Sequence, residues 1–319
     1  MPEEQTAQAV EEKAPEKEKR KRKTPAEAVW AVFRFLILFG LGFVIMYPLL
    51  YMISCSFRER ADMNDPTVVW IPRHFTLSVM KDTVQAMDFG NTLLNTVLMN
   101  VGCSMVQVLS CAITGYGFAR FRFRGSKLLF GLVILMILVP TQVIALPLYG
   151  QFRFFGFGSH TVNLIDTMWT MYLPAMTANG IRAGLMIFLF RQFFKGLPRE
   201  IEDAAYIDGC GPFMTFVRVM APNASAAFLT VFLFSLVWYW NDYYQSTIYL
   251  SSYLTVSTNL ANLKKIMESR LGNEVAYDPY QTVTMIQACS LLTLGPLLAI
   301  YLIVQRSFVA GVERTGIVG

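Results

Sequence analysis

Long apolar stretches alternate along the chain with short polar connections. They run roughly over Phe33–Cys55, Asn91–Phe118, Leu128–Tyr149, Asn163–Phe190, Ala224–Leu250 and Thr282–Val304. About 20 apolar residues carry a helix across the ~30 Å hydrocarbon core of a bilayer, and each stretch reaches that length. Barrel strands would be shorter and would alternate apolar with polar positions, so the pattern predicts helices. The fourth stretch is interrupted by Asn179-Gly180 and carries Arg182 in its second half. It predicts a kinked helix whose Arg182 reaches toward the inner interface. The expected fold class is all-α integral membrane protein, with about six transmembrane helices over residues 30–319 and a disordered cytoplasmic tail over 1–29.

Composition supports a bilayer as solvent. The 319 residues are 54% hydrophobic and 15% charged, against about a quarter charged in soluble domains. The tail combines Glu-Lys runs with Lys19-Arg20-Lys21-Arg22-Lys23 and lacks the apolar content to form a core. The long apolar run behind it, with no small-residue cleavage site, excludes a secretory signal. With the N-terminus inside, inner segments hold 17 Lys and Arg and outer loops hold 8. The positive-inside rule then places both termini in the cytoplasm of a multi-pass cell-membrane protein. The outer loops, at most about thirty-five residues long, are too short for a ligand-binding domain.

Candidate chemistry is sparse. Cys55, Cys103, Cys111, Cys210 and Cys289 show no paired spacing, and four of them lie in apolar stretches as small hydrophobes. His74 and His160 fall in separate loops and read as ordinary loop residues rather than metal ligands. No GxxxxGK[ST], HExxH or GxSxG sequence occurs, so the chain reads as a non-enzyme with no metal or cofactor of its own. No basic face interleaved with aromatics points to nucleic acid.

The connection between the fourth and fifth stretches carries the most information. Pro198 suits a first helical turn, and Glu200, Glu202 and Asp203 complement the helix dipole. Gly209 fits a left-handed stop, Pro212 a second start, and Pro222 an end before the fifth stretch. Phe213, Phe216, Val217 and Met220 fall at i, i+3, i+4 and i+7, one apolar stripe. By periodicity alone two readings fit: an amphipathic helix lying on the membrane, or a surface for a partner.

Asp203-Ala204-Ala205, Gly209 and Val219-Met220-Ala221-Pro222 resemble the EAA signature of binding-protein-dependent ABC importers, with Asp203, Cys210 and Ala221 departing from its usual residues. Trp70-Ile71-Pro72, Phe75-Thr76-Leu77, Asn91-Thr92, Pro140-Thr141-Gln142-Val143, Pro147-Leu148-Tyr149, Trp240-Asn241-Asp242-Tyr243 and the ending Gln305 to Gly311 resemble the carbohydrate-uptake permeases, maltose-type inner subunit. The resemblance implies a type I importer permease fold for an ATP-driven sugar importer. It also implies a second permease subunit in a heterodimer, two ATPase subunits that use ATP and Mg, and an extracytoplasmic sugar-binding protein. The 197–222 loop would be the coupling helix, with Glu202, Asp203, Ala204, Ala205, Asp208, Gly209, Phe213, Phe216 and Pro222 as ATPase-coupling candidates.

Sugar contacts are sought among polar and aromatic groups within the stretches. Asp242 leads, because an ionisable group inside a membrane is costly. Asn241, Trp238, Trp240, Tyr243, Tyr244, Gln142 and Asn95 join it. The aromatics read equally as an outer interfacial belt, and Asp242 as a structural cap. An importer for another solute, an ion-coupled secondary transporter and a multi-span membrane enzyme are the competing classes.

Overall fold

The computed structural model describes residues 25–63, 65–158, 160–252, 255–270 and 279–316. Most of the expected tail, and the stretches 271–278 and 317–319, lie outside them. Within them Pro25–Val29 are helical rather than tail-like.

The chain forms two compact units, Met1–Tyr51 and Met52–Gly319. The first holds most of α1 (Pro25–Ser56), a helix apolar on every side, as suits one with bilayer around it. Phe35 and Phe39, four residues apart, stack at 6.0 Å along it.

The second unit begins with the last residues of α1. There follow α2 (Arg60–Met63), α3 (Ser78–Met87), α4 (Phe89–Arg120), α5 (Ser126–Leu138) and α6 (Thr141–Arg153). A short antiparallel hairpin, β1 (Phe155–Phe157) and β2 (His160–Val162), pairs Phe155 with Val162. Then come α7 (Trp169–Met176), α8 (Ala183–Gly196), α9 (Arg199–Ile207) and α10 (Pro212–Thr215). A π-helical segment Phe216–Met220 and α11 (Ala221–Asn223) lead into α12 (Ser225–Trp240) and α13 (Tyr244–Tyr249). The unit ends with α14 (Val256–Ala261), α15 (Leu263–Arg270) and α16 (Pro279–Gly316).

Among the described residues, α1, α4 and the Tyr280–Ile303 part of α16 are long and apolar enough to cross a bilayer singly. α5 with α6, bent by 104°, and Pro212–Asn223 with α12, bent by 81°, qualify as pairs. The third expected span is therefore two helices. Pro140 has no N–H for a continuing helix and holds Val139 in an extended conformation. The fourth is broken as well. Its helix starts at Trp169 rather than Asn163, and Thr177–Arg182 separates α7 from α8, with Ala178 and Arg182 in left-handed conformations. The fifth ends its main helix at Trp240, and Asn241–Tyr243 interrupt it before α13.

α4 is the central post of this unit, packed on α7, α8 and α12. Small residues permit the closest approach, as between membrane helices generally. A Cβ on Gly115 would lie 2.6 Å from the Phe190 Cβ and 3.0 Å from the Arg191 amide nitrogen. One core gathers Cys111, Tyr116, Met186, Phe190, Phe194, Phe216 and Met220 toward one end of the bundle; another gathers Met99, Cys103, Met171, Tyr239 and Tyr249. Cys55, Cys103, Cys111 and Cys289 are buried free thiols and Cys210 is half-buried.

The loop after α1 is held by polar contacts. Arg58 donates to Ser54 Oγ at 2.9 Å and to the Val69 carbonyl at 2.6 Å. In this loop His74 pairs its Nδ1 with the buried Asp62 carboxylate at 2.7 Å. The His74 backbone N–H donates to the same carboxylate at 2.8 Å. These bonds hold Asp62 below its ordinary value of 3.8, the backbone donor contributing most. The carboxylate in turn raises His74 above 6.5.

Candidate coupling loop and translocation site

Pro198 caps α9, which runs to Ile207, and Gly209 adopts φ +84° as a left-handed stop. Pro212 opens α10 as its first residue. The expected single apolar stripe does not form. The π-helical segment closes hydrogen bonds over five residues, Ala221 N to the Phe216 carbonyl. Pro222, without an N–H, cannot supply the ordinary helical bond to Arg218. Phe216 and Met220 face the core, while Phe213 and Val217 are exposed.

The loop therefore has two faces. Outward stand Asp203, Ala204, Asp208, Gly209, Phe213 and Pro222. Beside them is Ile207, 86% exposed, with Phe213 at 70%. Inward lie Glu202, Ala205 and Phe216, which are buried and offer no surface to a partner in this structure.

Glu202 is 6% exposed. Its Oε1 accepts hydrogen bonds from the Tyr116 hydroxyl at 2.5 Å and the Tyr206 hydroxyl at 3.2 Å. Arg120 Nε lies 3.4 Å from Oε2, near enough for charge pairing but not aligned as a hydrogen bond. Arg120 also donates from its terminal nitrogen to the Leu197 carbonyl at 2.7 Å. The Tyr116 ring packs edge-on against Phe194 and Phe121 and lies tilted, 5.1 Å from Phe216. Neither Tyr116 nor Arg120 stands out in the sequence, where Arg120 is one of several loop charges.

The substrate-path candidates scatter. Trp240 is buried and donates its indole N–H to the Thr293 carbonyl at 3.1 Å. Trp238 stacks on Phe234 at 5.7 Å. Asn241 donates to the Val237 carbonyl of its own helix. Asp242 caps α13, accepting from the Ser246 amide and hydroxyl at 2.9 Å each and from the Gln245 amide at 3.3 Å. Tyr243 is exposed, and Tyr244 and Asn95 are half-buried.

Gln142 sits elsewhere, on a cavity of about 590 Å³ between the α5–α6 bend and the α7–α8 break. Asn179, Arg182, Gln245 and Tyr249 join it there. Of the candidates only Gln142 lines this cavity. Behind it a buried polar seam joins the helices: Tyr239 donates its hydroxyl to Gln107 Oε1 at 2.5 Å, and Gln107 Nε2 donates to the Ile181 carbonyl at 2.7 Å. Asn100 donates to the Leu236 carbonyl at 3.0 Å. The seam pins α4 against the break beside Arg182, a role the sequence left unmarked.

Residues 111–313, from the middle of α4 through the coupling loop and into α16, match the family described as the inner membrane component of binding-protein-dependent transport systems. The chain belongs to this family. As such a permease it works with a substrate-binding protein and other subunits of the transport system. Over 94% of its length and all of the relative's, it is 27% identical to the arabinooligosaccharides transport system permease protein AraQ of Halalkalibacterium halodurans. Over 91% and 97%, it is 25% identical to the trehalose transport system permease protein SugB of Mycobacterium tuberculosis. Its fold is similar, with a TM-score of 0.73, to a chain of a bacterial ABC transporter involved in import of the acidic polysaccharide alginate. That match covers 90% of the permease and 99% of the other chain at 19% identity.

Proposed function

We propose that this permease is a transmembrane subunit of an ATP-driven sugar importer, coupled to its ATPase subunits through residues 198–221, with both termini in the cytoplasm. One observation carries the coupling role. Ile207 and Phe213 are large exposed apolar side chains on a loop whose other face is fastened to the bundle. Exposed apolar residues fixed on a rigid support are what a docking partner needs. The relatives named for arabinooligosaccharide and trehalose transport support a sugar as cargo.

The full importer then comprises this chain, a second permease in a heterodimer, two ATPase subunits and an external sugar-binding protein. ATP and Mg are used by the ATPase subunits, because this chain has no phosphate-cradling sequence. Closure of the ATPase pair moves the loop and switches the pathway between discrete inward-open and outward-open arrangements. Gln142 at the cavity, with Asn241 and Tyr243 at the break after α12, are the groups through which sugar would pass.

The test is a pull-down of the tagged chain from native membranes, with sequencing of the proteins it retains. Wild type is expected to retain a second multi-span chain and a soluble ATPase. Gly209→Asp is expected to insert normally but lose transport: no atom crowds its new Cβ, while φ +84° strains it and misdirects the loop. An intact chain recovered alone, or normal uptake by Gly209→Asp, would remove the coupling role.

A further inference from the structure

Glu202 stands on the coupling helix beside the signature residue Asp203, yet its carboxylate faces away from any partner surface. It is enclosed by two hydroxyls and a guanidinium whose side chain is 5% exposed. The groups come from three places. Tyr116 and Arg120 belong to the last turns of α4, Leu197 follows the end of α8, and Glu202 and Tyr206 belong to α9. A buried carboxylate is tolerated only with such a set of donors, and removing one partner leaves the other groups uncompensated. The same point is packed tightly. Gly115, next to Tyr116, brings the backbones of α4 and α8 together, and the Tyr116 ring fills the space between Phe194 and Phe216.

We infer that Glu202 is a positioning residue rather than an ATPase contact: with Tyr116 and Arg120 it latches the coupling helix to α4 and to the end of α8, so that displacement of the loop moves both helices as one body. The inference rests on the reading of this loop as the ATPase-coupling element. The route beyond the latch is short. α8 begins at the break that lines the cavity, and α4 carries Gln107, which holds that break through the Ile181 carbonyl. A push on α9 that reaches α4 and α8 reaches both walls of the break. Without the latch, the loop would still bind a partner through Ile207 and Phe213 but would swing on Pro198 and Gly211.

The experiment uses the tagged full-length chain in native membranes with its own partner subunits, so the sugar need not be known. Two thiol positions report. Cys210, the one native cysteine that is not buried, reports docking through protection from a water-soluble maleimide. A Thr141→Cys substitution at the cavity reports the pathway. Each is labelled with and without Mg-ATP and vanadate. In the parent, nucleotide is expected to change labelling at both positions. Glu202→Gln is expected to keep the Cys210 protection and the co-purifying ATPase, while the nucleotide response at position 141 falls roughly tenfold, a typical coupling magnitude. Tyr116→Phe should act in the same direction, and the double variant should be less than additive because both belong to one network. Glu200→Gln, which removes the same charge from an exposed position on the same helix, should respond as the parent does.

The latch is overturned if Glu202→Gln responds at position 141 as Glu200→Gln does. It is overturned equally if Glu202→Gln loses Cys210 protection and the ATPase together, which would make Glu202 a docking contact. Should Glu202→Gln fail to accumulate, Tyr116→Phe removes a single hydroxyl and decides by the same criteria. Absence of any Cys210 protection or ATPase in the parent is a different result, which removes the coupling reading itself.

Discussion

Replacing Gly115 by alanine tests the contact between α4 and α8 on which the bundle is built. The added Cβ would meet the Phe190 Cβ at 2.6 Å, the Arg191 nitrogen at 3.0 Å and the Ile187 carbonyl oxygen at 3.1 Å. Two of these neighbours are backbone and the third is the stem of a ring buried between Phe194 and Phe228. None can swing aside, so the helices must part by several tenths of an ångström along a packed seam. Overpacking of this kind costs about 1–3 kcal/mol. Alanine also favours the helix over glycine by about 1 kcal/mol, which would mask part of the loss. Gly117→Ala removes that ambiguity. It lies on the same helix, gains the same propensity, and has nothing within 4 Å of its Cβ. The difference between the two variants is then the packing cost alone. At about 2 kcal/mol it corresponds to roughly 4–8 °C in melting temperature at 2–4 °C per kcal/mol. Thermal unfolding in a mild detergent, followed by loss of the monodisperse size-exclusion peak, measures it. Equal melting temperatures for Gly115→Ala and Gly117→Ala would refute the close approach.

Three further outcomes follow from the site. Gln107→Leu leaves the Tyr239 hydroxyl without its acceptor and the Ile181 carbonyl without its donor. The expected loss is about 1–3 kcal/mol, read by detergent melting, and unchanged stability would sink the seam. Asp242→Ala should cost about 1 kcal/mol through the lost cap on α13, with uptake falling only in step. Intact stability with abolished uptake would instead place the carboxylate on the sugar path. The Asp62–His74 pair gives the loop after α1 a pH window. Asp62, held below 3.8, contributes fully above that pH and fades as pH falls through its lowered value. His74, raised above 6.5, contributes fully below 6.5 and fades as pH rises through its raised value. Proteolysis of the loop should be slowest between these limits. His74→Ala should flatten the profile on the alkaline side, and a loop equally protected at pH 6 and pH 9 would contradict the pairing.

The coupling loop was legible because its punctuation is local. Pro198, Gly209 and Pro212 each fix the backbone within a residue or two, and each stands where the sequence places it. The break beside Asn179-Gly180 was visible for the same reason. The apolar stripe is incomplete because a period of 3.6 residues assumes an unbroken helix, which the π-helical segment Phe216–Met220 interrupts. Pro140 sits in a signature inside one apolar stretch, and the 104° bend there shows only in the two separate helices α5 and α6. The Glu202 cluster was out of reach in principle. Tyr116 lies 86 positions from Glu202, and no periodicity links positions so distant. The charge of Asp242 stands out in the sequence, but its capping role follows from the helix break after Trp240, which brings the Gln245 and Ser246 amides to the carboxylate.

The division of the loop into an anchored face and a free one has a consequence for descent. Ile207 and Phe213 touch little of their own chain, whereas Glu202, Ala205, Phe216 and Met220 are built into its interior. Substitutions on the free face can therefore accumulate at small cost to folding. On the proposed coupling role, a lineage can retune which ATPase subunit it accepts while inheriting the scaffold unchanged. Related permeases should then diverge fastest at the two outward positions and slowest at the inward four.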